Sequence, residues 1–142
     1  NIKGALWCCL EALKHMNNDL NVAAERKSEK GVVNICSNSI KTLNASNIIY
    51  ISSKAALQSI TESLALHYGK QARFNAVAPG LISSNLTNNR FSAAKGHVLN
   101  NTPTGKLPTP QDVAKVVKML LIGSPAINGQ TIYVDGGRTV GS

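Results

Sequence analysis

The chain has 142 residues, 43% hydrophobic and 15% charged, with 15 Lys+Arg against 7 Asp+Glu and a formal net charge of +8. This is one domain's length of chain with enough apolar content for a core, which excludes disorder, and no run approaches the roughly 20 apolar residues that cross a bilayer. The basic excess is scattered, its densest stretch "ERKSEK" at 25–30 is balanced by Glu25 and Glu29, and no basic stripe alternates with aromatic residues, so neither nucleic acid nor a membrane is an expected partner.

The beginning, "NIKGALWCCLEALKHMNND", has no basic segment or small-residue cleavage site of a secretory leader, and a cytoplasmic protein is expected. Ile2, Leu6, Cys9, Leu10, Leu13 and Met16 recur at helical spacing, which predicts a helix over 2–16 with one buried stripe. Asn17 to Lys30 is polar and without period, and reads as a loop or ragged helix end. Cys8, Cys9 and Cys36 match no metal-ligand spacing and are read as buried, small apolar residues in a reducing compartment; no metal is expected.

"GVVNICS", Gly31 to Ser37, is a Val/Ile-rich run bounded by Gly and a polar cluster, hence a buried strand whose end carries Ser37. Ile48 to Tyr68 reads as a helix with Leu57, Ile60, Leu64 and His67 or Tyr68 on its buried side, and Gly69 is placed for a left-handed C-terminal cap. "ARFNAVAPG" is a second strand, stopped by Pro79-Gly80. Residues 81–108 form a long Ser/Asn/Thr/Gly-rich connection with room for a short helix. Thr109 as N-cap, Pro110 at the first helical position and Asp112 in the first turn open a third helix with Val113, Val116, Val117, Leu120 and Leu121 as its apolar face, ended by Gly123. Thr131 to Asp135 is a third strand.

Alternation of helices and strands means an α/β protein with a parallel sheet, because parallel strands need crossover connections. Ligands of such sheets bind outside the carboxyl ends of the strands. Ser37, the Pro79-Gly80 bend and the front of the helix carrying Tyr50 and Lys54, four residues apart and so on one helix face, converge on that rim.

Ser37, Tyr50 thirteen residues later, Lys54 at Tyr-x-x-x-Lys spacing, "NAVAPG" and the closing "GQTIYVDGG" together resemble the short-chain dehydrogenase/reductase family. The resemblance runs through the whole chain but covers only the C-terminal half of that family's doubly wound Rossmann-type sheet: three strands with crossover helices, the N-terminal βαβ half being absent. It implies that Tyr50 exchanges a proton with a carbonyl or secondary-alcohol substrate, that Lys54 favours the phenolate and holds the nicotinamide ribose, and that Ser37 hydrogen-bonds the substrate oxygen. It further implies that Asn1 holds a water linking the lysine to solvent. Pro79, Gly80, Ile82 and Ser84, the last where the family usually has threonine, would join Tyr50 and Lys54 in binding NAD or NADP.

A small-molecule carbonyl or alcohol substrate and a dimeric or tetrameric homo-oligomer are implied for the complete protein. No glycine-rich turn of the kind that seats a pyrophosphate occurs in the sequence, and on the order of 100 residues of the family's front half are missing, at roughly 30 per βαβ unit. The first strand would then be an open apolar edge, and the isolated chain is expected to be inactive. The alternative expectation is a naturally short, catalytically silent remnant that acts as an interaction or oligomerisation module. A sugar-nucleotide epimerase sharing the Tyr/Lys pair is disfavoured, because such proteins continue into a substrate domain whereas this chain ends seven residues after Asp135. Cys36 and Asn38 flank Ser37 where the family favours small residues, Ser or Gly, which is expected to alter the pocket floor.

Overall fold

A computed structural model describes residues 2–17, 30–43, 47–83 and 92–140. In chain order the elements are α1 (Lys3–Asn17), β1 (Gly31–Ile35), α2 (Ser39–Thr42), α3 (Ile48–Tyr68), β2 (Arg73–Pro79), α4 (Ser92–Asn100), α5 (Pro110–Ile122) and β3 (Thr131–Val134). The strands form one sheet in the order β1-β2-β3, parallel throughout, with Gly31 opposite Arg73 and Ala76 opposite Thr131. The α/β parallel architecture is as expected, with strands one or two residues shorter than the apolar runs.

Every residue of β2 is buried, so both its faces need cover. On one face Phe74 and Ala72 pack with Cys9 and Leu13 of α1 and Leu64 and Ala65 of α3. On the other, Arg73 is 2% exposed. Its guanidinium donates to the carbonyls of Leu120 (2.8 Å), Leu121 (3.0 Å) and Ile127 (3.3 Å), and so caps the C-terminal end of α5, where a positive charge is favourable. Successive residues of a strand point to opposite faces, so α3 and α5 cover opposite sides of the sheet. Because β1, β2 and β3 step in one direction, the two crossovers have opposite hand, although parallel crossovers are right-handed in the great majority of sheets.

The connection into β3 is docked by amides. Asn75 Nδ2 donates to Ile127 O and its Oδ1 accepts from Gln130 N, while Asn128 Oδ1 accepts from Phe74 N and Nδ2 donates to Ala65 O. This explains Gly69, which is right-handed (φ −58) and not the left-handed cap expected. A Cβ there would lie 2.6 Å from Ala65 O and 2.8 Å from Asn128 Nδ2, so glycine is required by close approach. His67 and Tyr68 are exposed, because α3's buried stripe ends at Leu64 and Ala65. Ile2 is exposed just before α1, and Cys8 is exposed, since the stripe through Cys9 and Leu13 turns the preceding residue outward. The 81–108 connection contains α4, and among the described residues β1 pairs only with β2, which leaves its other edge open. No described helix is long and apolar enough to cross a membrane.

Helix α5 begins as expected. Thr109 accepts from Asp112 N, and the Asp112 carboxylate, held below its usual range chiefly by hydrogen bonds from Thr109, accepts from Thr109 N. Arg73→Leu, which removes the donors of several buried carbonyls, should destabilise the full-length protein by about 3 kcal/mol or more, and Thr109→Ala by about 1 kcal/mol. Denaturant unfolding midpoints should fall in that order; an Arg73→Leu midpoint at the wild-type value would contradict this account of α5.

Candidate active site at the carboxyl ends of the strands

The three strand ends are tied to one another. Past β1, Cys36 N donates to Val77 O (2.7 Å) and Asn38 N to Pro79 O (2.9 Å), and past β2, Gly80 N donates to Val134 O (3.0 Å). The side chain of buried Asn38 reaches across, Nδ2 donating to Asp135 Oδ2 at 3.3 Å. Asp135, 5% exposed, also accepts from Gly137 N (3.0 Å) and Thr139 N (3.0 Å), so amide donors satisfy the buried carboxylate. Gly80 lies directly on this lock: a Cβ there would be 2.9 Å from Asp135 Cβ and 3.3 Å from Asn38 Nδ2. The closing glycines Gly136 and Gly137 have φ of +67 and +86, which favours glycine, and Thr104 N donates to Gly136 O.

Ser37 is half-buried on this rim. Its Oγ accepts from Ser39 N (3.2 Å) and is 2.9 Å from Ser39 Oγ. Helix α3 is started by Asn47, whose Oδ1 accepts from Ile49 N at 2.7 Å. Tyr50, 39% exposed, lies in the first turn, and Lys54 one turn on holds its ammonium 5.9 Å from the Tyr50 ring centre. Lys54 Nζ also donates to Ile35 O at 2.6 Å. The lysine therefore links the front of α3 to the strand end two residues before Ser37. Pro79, Gly80 and Ile82 form the bend after β2, with the Pro79 carbonyl and the Gly80 N–H taken up by the neighbouring strand ends. Asn1 and Ser84 lie outside the described residues.

Of the residues flanking Ser37, Cys36 packs with Leu57, Ala76 and Ala78 beneath the rim, and Asn38 is turned into the lock with Asp135. Burial pushes the Cys36 thiol up to about 11, against the pull of Lys54 and with a further push from Glu62. The Tyr133 phenol, on β3 beneath Lys41 (4.6 Å from the ring centre), is also raised, chiefly by burial. The sequence reading expected Asn38 to alter the pocket floor but missed its bond to Asp135, and it missed Ser39. The polar replacement after Ser37 and the acid of "VDGG" were the available signals, but their pairing spans 97 residues.

Residues 1–139 match the family model described as Enoyl-(Acyl carrier protein) reductase. The chain belongs to the short-chain dehydrogenase/reductase family. A probable short-chain type dehydrogenase/reductase of Bradyrhizobium diazoefficiens is 34% identical over 140 residues, 96% of this chain and 47% of its own length. Among solved structures, a candidate short-chain alcohol dehydrogenase of Sinorhizobium meliloti superposes with a TM-score of 0.81 at 26% identity, over 99% of this chain and 54% of the other. A candidate D-mannonate oxidoreductase of Haemophilus influenza with bound NAD (TM-score 0.74, 27% identity) covers 79% of this chain and 44% of its own. A candidate 2-deoxy-D-gluconate 3-dehydrogenase of Agrobacterium tumefaciens with bound NADP (0.69, 28%) covers 78% and 46%. The chain spans about half the length of the curated short-chain dehydrogenase/reductases it matches.

The two buried cysteines, Cys9 and Cys36, and the exposed Cys8 should react differently in this family member. Because the folded chain holds the Cys36 proton up to about 11 against an ordinary 9.0, that thiol contributes stability below pH 9 that is lost as pH rises toward 11. At neutral pH a thiol alkylating reagent should label Cys8 first and leave Cys36 unlabelled until the protein unfolds, as read by peptide mass. Labelling of Cys36 at the Cys8 rate would contradict its burial.

Proposed function

We propose that the protein is an NAD(P)-dependent oxidoreductase that interconverts a carbonyl and a secondary alcohol, with Tyr50 as general acid and base. The observation that carries the reading is Lys54, whose ammonium stands one helical turn from Tyr50 and is hydrogen-bonded to the end of the strand that leads into Ser37. In reduction, Tyr50 gives its phenolic proton to the substrate oxygen as the C=O π pair moves onto that oxygen, and in oxidation it takes the proton back. Lys54 favours the phenolate left behind. Ser37 donates a hydrogen bond to the same oxygen as charge develops.

The rim suits the nicotinamide end of a dinucleotide. Lys54 would face the ribose hydroxyls, the turn through Gly80 and Ile82 would meet the carboxamide, and Ser84 would extend that set. The bound nicotinamide supplies or accepts the hydride. No glycine-rich strand-turn-helix occurs in the sequence to seat the pyrophosphate, so the activity is proposed for a protein in which this chain is joined to such a seat. Two solved relatives, one holding NAD and the other NADP, support either cofactor. Asn1 is proposed as the holder of a solvent-linking water. Exposed Trp7 on α1 and Leu66 on α3 support assembly with further copies of the protein.

The test is oxidation of NADH and NADPH by the full-length protein with acetoacetyl-CoA, cyclohexanone and acetophenone as carbonyl probes. Tyr50→Phe should lower kcat by about a hundredfold or more, the usual weight of one positioned acid-base group, at unchanged melting temperature. Turnover by Tyr50→Phe at the wild-type rate would overturn the assignment.

A further inference from the structure

Ser37 and Ser39 form a hydroxyl pair whose direction follows from burial. Ser39 is 4% exposed, and among the described residues the only hydrogen-bond partner of its Oγ is Ser37 Oγ, at 2.9 Å. Ser37 is half-buried and borders the open rim. A hydroxyl has one hydrogen to give and two lone pairs to accept with. If Ser37 gave its hydrogen to Ser39, the Ser39 hydrogen would be buried with no acceptor, which is costly. With the bond running from Ser39 to Ser37, every hydrogen in the pair has a destination.

The backbone supplies the second constraint. Ser39 N–H donates to Ser37 Oγ at 3.2 Å, and this direction is fixed because an amide nitrogen can only donate. Both acceptor positions of Ser37 Oγ are then occupied by one residue, and its single hydrogen is left to point away from Ser39; Ser37 itself lies two residues past Ile35, whose carbonyl accepts from Lys54. Ser39 is itself held in the first turn of α2, where its carbonyl accepts from Leu43 N at 3.0 Å.

We infer that Ser39 is a positioning residue that makes the Ser37 hydroxyl a dedicated hydrogen donor toward a substrate oxygen. The inference rests on the proposed role of Ser37 as the group that touches that oxygen. Its consequence is directional: a preset donor favours an accumulating negative charge over a neutral hydroxyl, so the pair acts on the reacting state more than on binding. Ser39 itself touches neither substrate nor cofactor.

A double-mutant cycle on the full-length protein, with the carbonyl probe it reduces fastest, tests this. Ser37→Ala should lose kcat strongly; Ser39→Ala should lose about tenfold in kcat, the weight of one modest hydrogen bond, with KM for the probe and for the dinucleotide it uses little changed. Acting only through Ser37, the Ser39 change should have no further effect in the Ser37→Ala background. A Ser39 effect that persists there, or wild-type kcat in Ser39→Ala, overturns the inference and leaves the role of Ser37 intact. Wild-type kcat in Ser37→Ala overturns the role of Ser37 first. Independently of turnover and of how the variants fold, neutron diffraction from deuterium-exchanged crystals of the wild-type protein should place the Ser39 deuterium on the line to Ser37 Oγ. A Ser37 deuterium pointing at Ser39 Oγ would overturn the inference outright.

Discussion

The Arg73 guanidinium, buried at the start of the central strand, is the contact on which the other parts depend. A cation in such a place is tolerated only when its donors are satisfied, and here the carbonyls at the end of α5 and in the following turn do so. By holding α5 against the face opposite α3, Arg73 sets the side on which the chain returns. Asn75 and Asn128 then guide residues 127–130 into pairing with β2. Without that return β3 would not lie beside β2, and Asp135 would not reach the rim.

The site follows from the same arrangement. Parallel strands end together, so backbone groups after β1 and β2 find their acceptors on the neighbouring strand, and Asn38 and Asp135 close the remaining gap with a side-chain bond. Gly80 is the residue this lock can accept at its centre, because a side-chain carbon would press on Asp135. Lys54 bridges from α3 to the end of β1 in the same region. The residues proposed to handle the proton thus stand on a helix and at a strand end, beside a locked turn.

Much of this was legible in the residues. The period-3.6 stripe through Leu57, Ile60 and Leu64, the Val/Ile runs of β1 and the Thr109-Pro110 helix start each follow from local chemistry, and the Tyr-x-x-x-Lys spacing needs only helix geometry to put its two side chains on one face. Where local reading erred, a distant partner had decided the matter. Gly69 has the appearance of a left-handed cap, but Asn128 is the reason for it. Cys8 was grouped with its buried neighbour, although only one of two adjacent helical residues can join a narrow stripe.

By itself the sequence determined the three strands, the long helices α1, α3 and α5, their order and the residue types at the rim, because propensity, capping and periodicity act over a few residues; the short α2 after Ser37 was not among them. The tertiary structure alone decided the opposite hands of the two crossovers, the pairing of Asn38 with Asp135 and the anchoring of Lys54 on Ile35. Each of these joins groups far apart in the chain, and their energies depend on burial and distance, which exist only once the layers have packed.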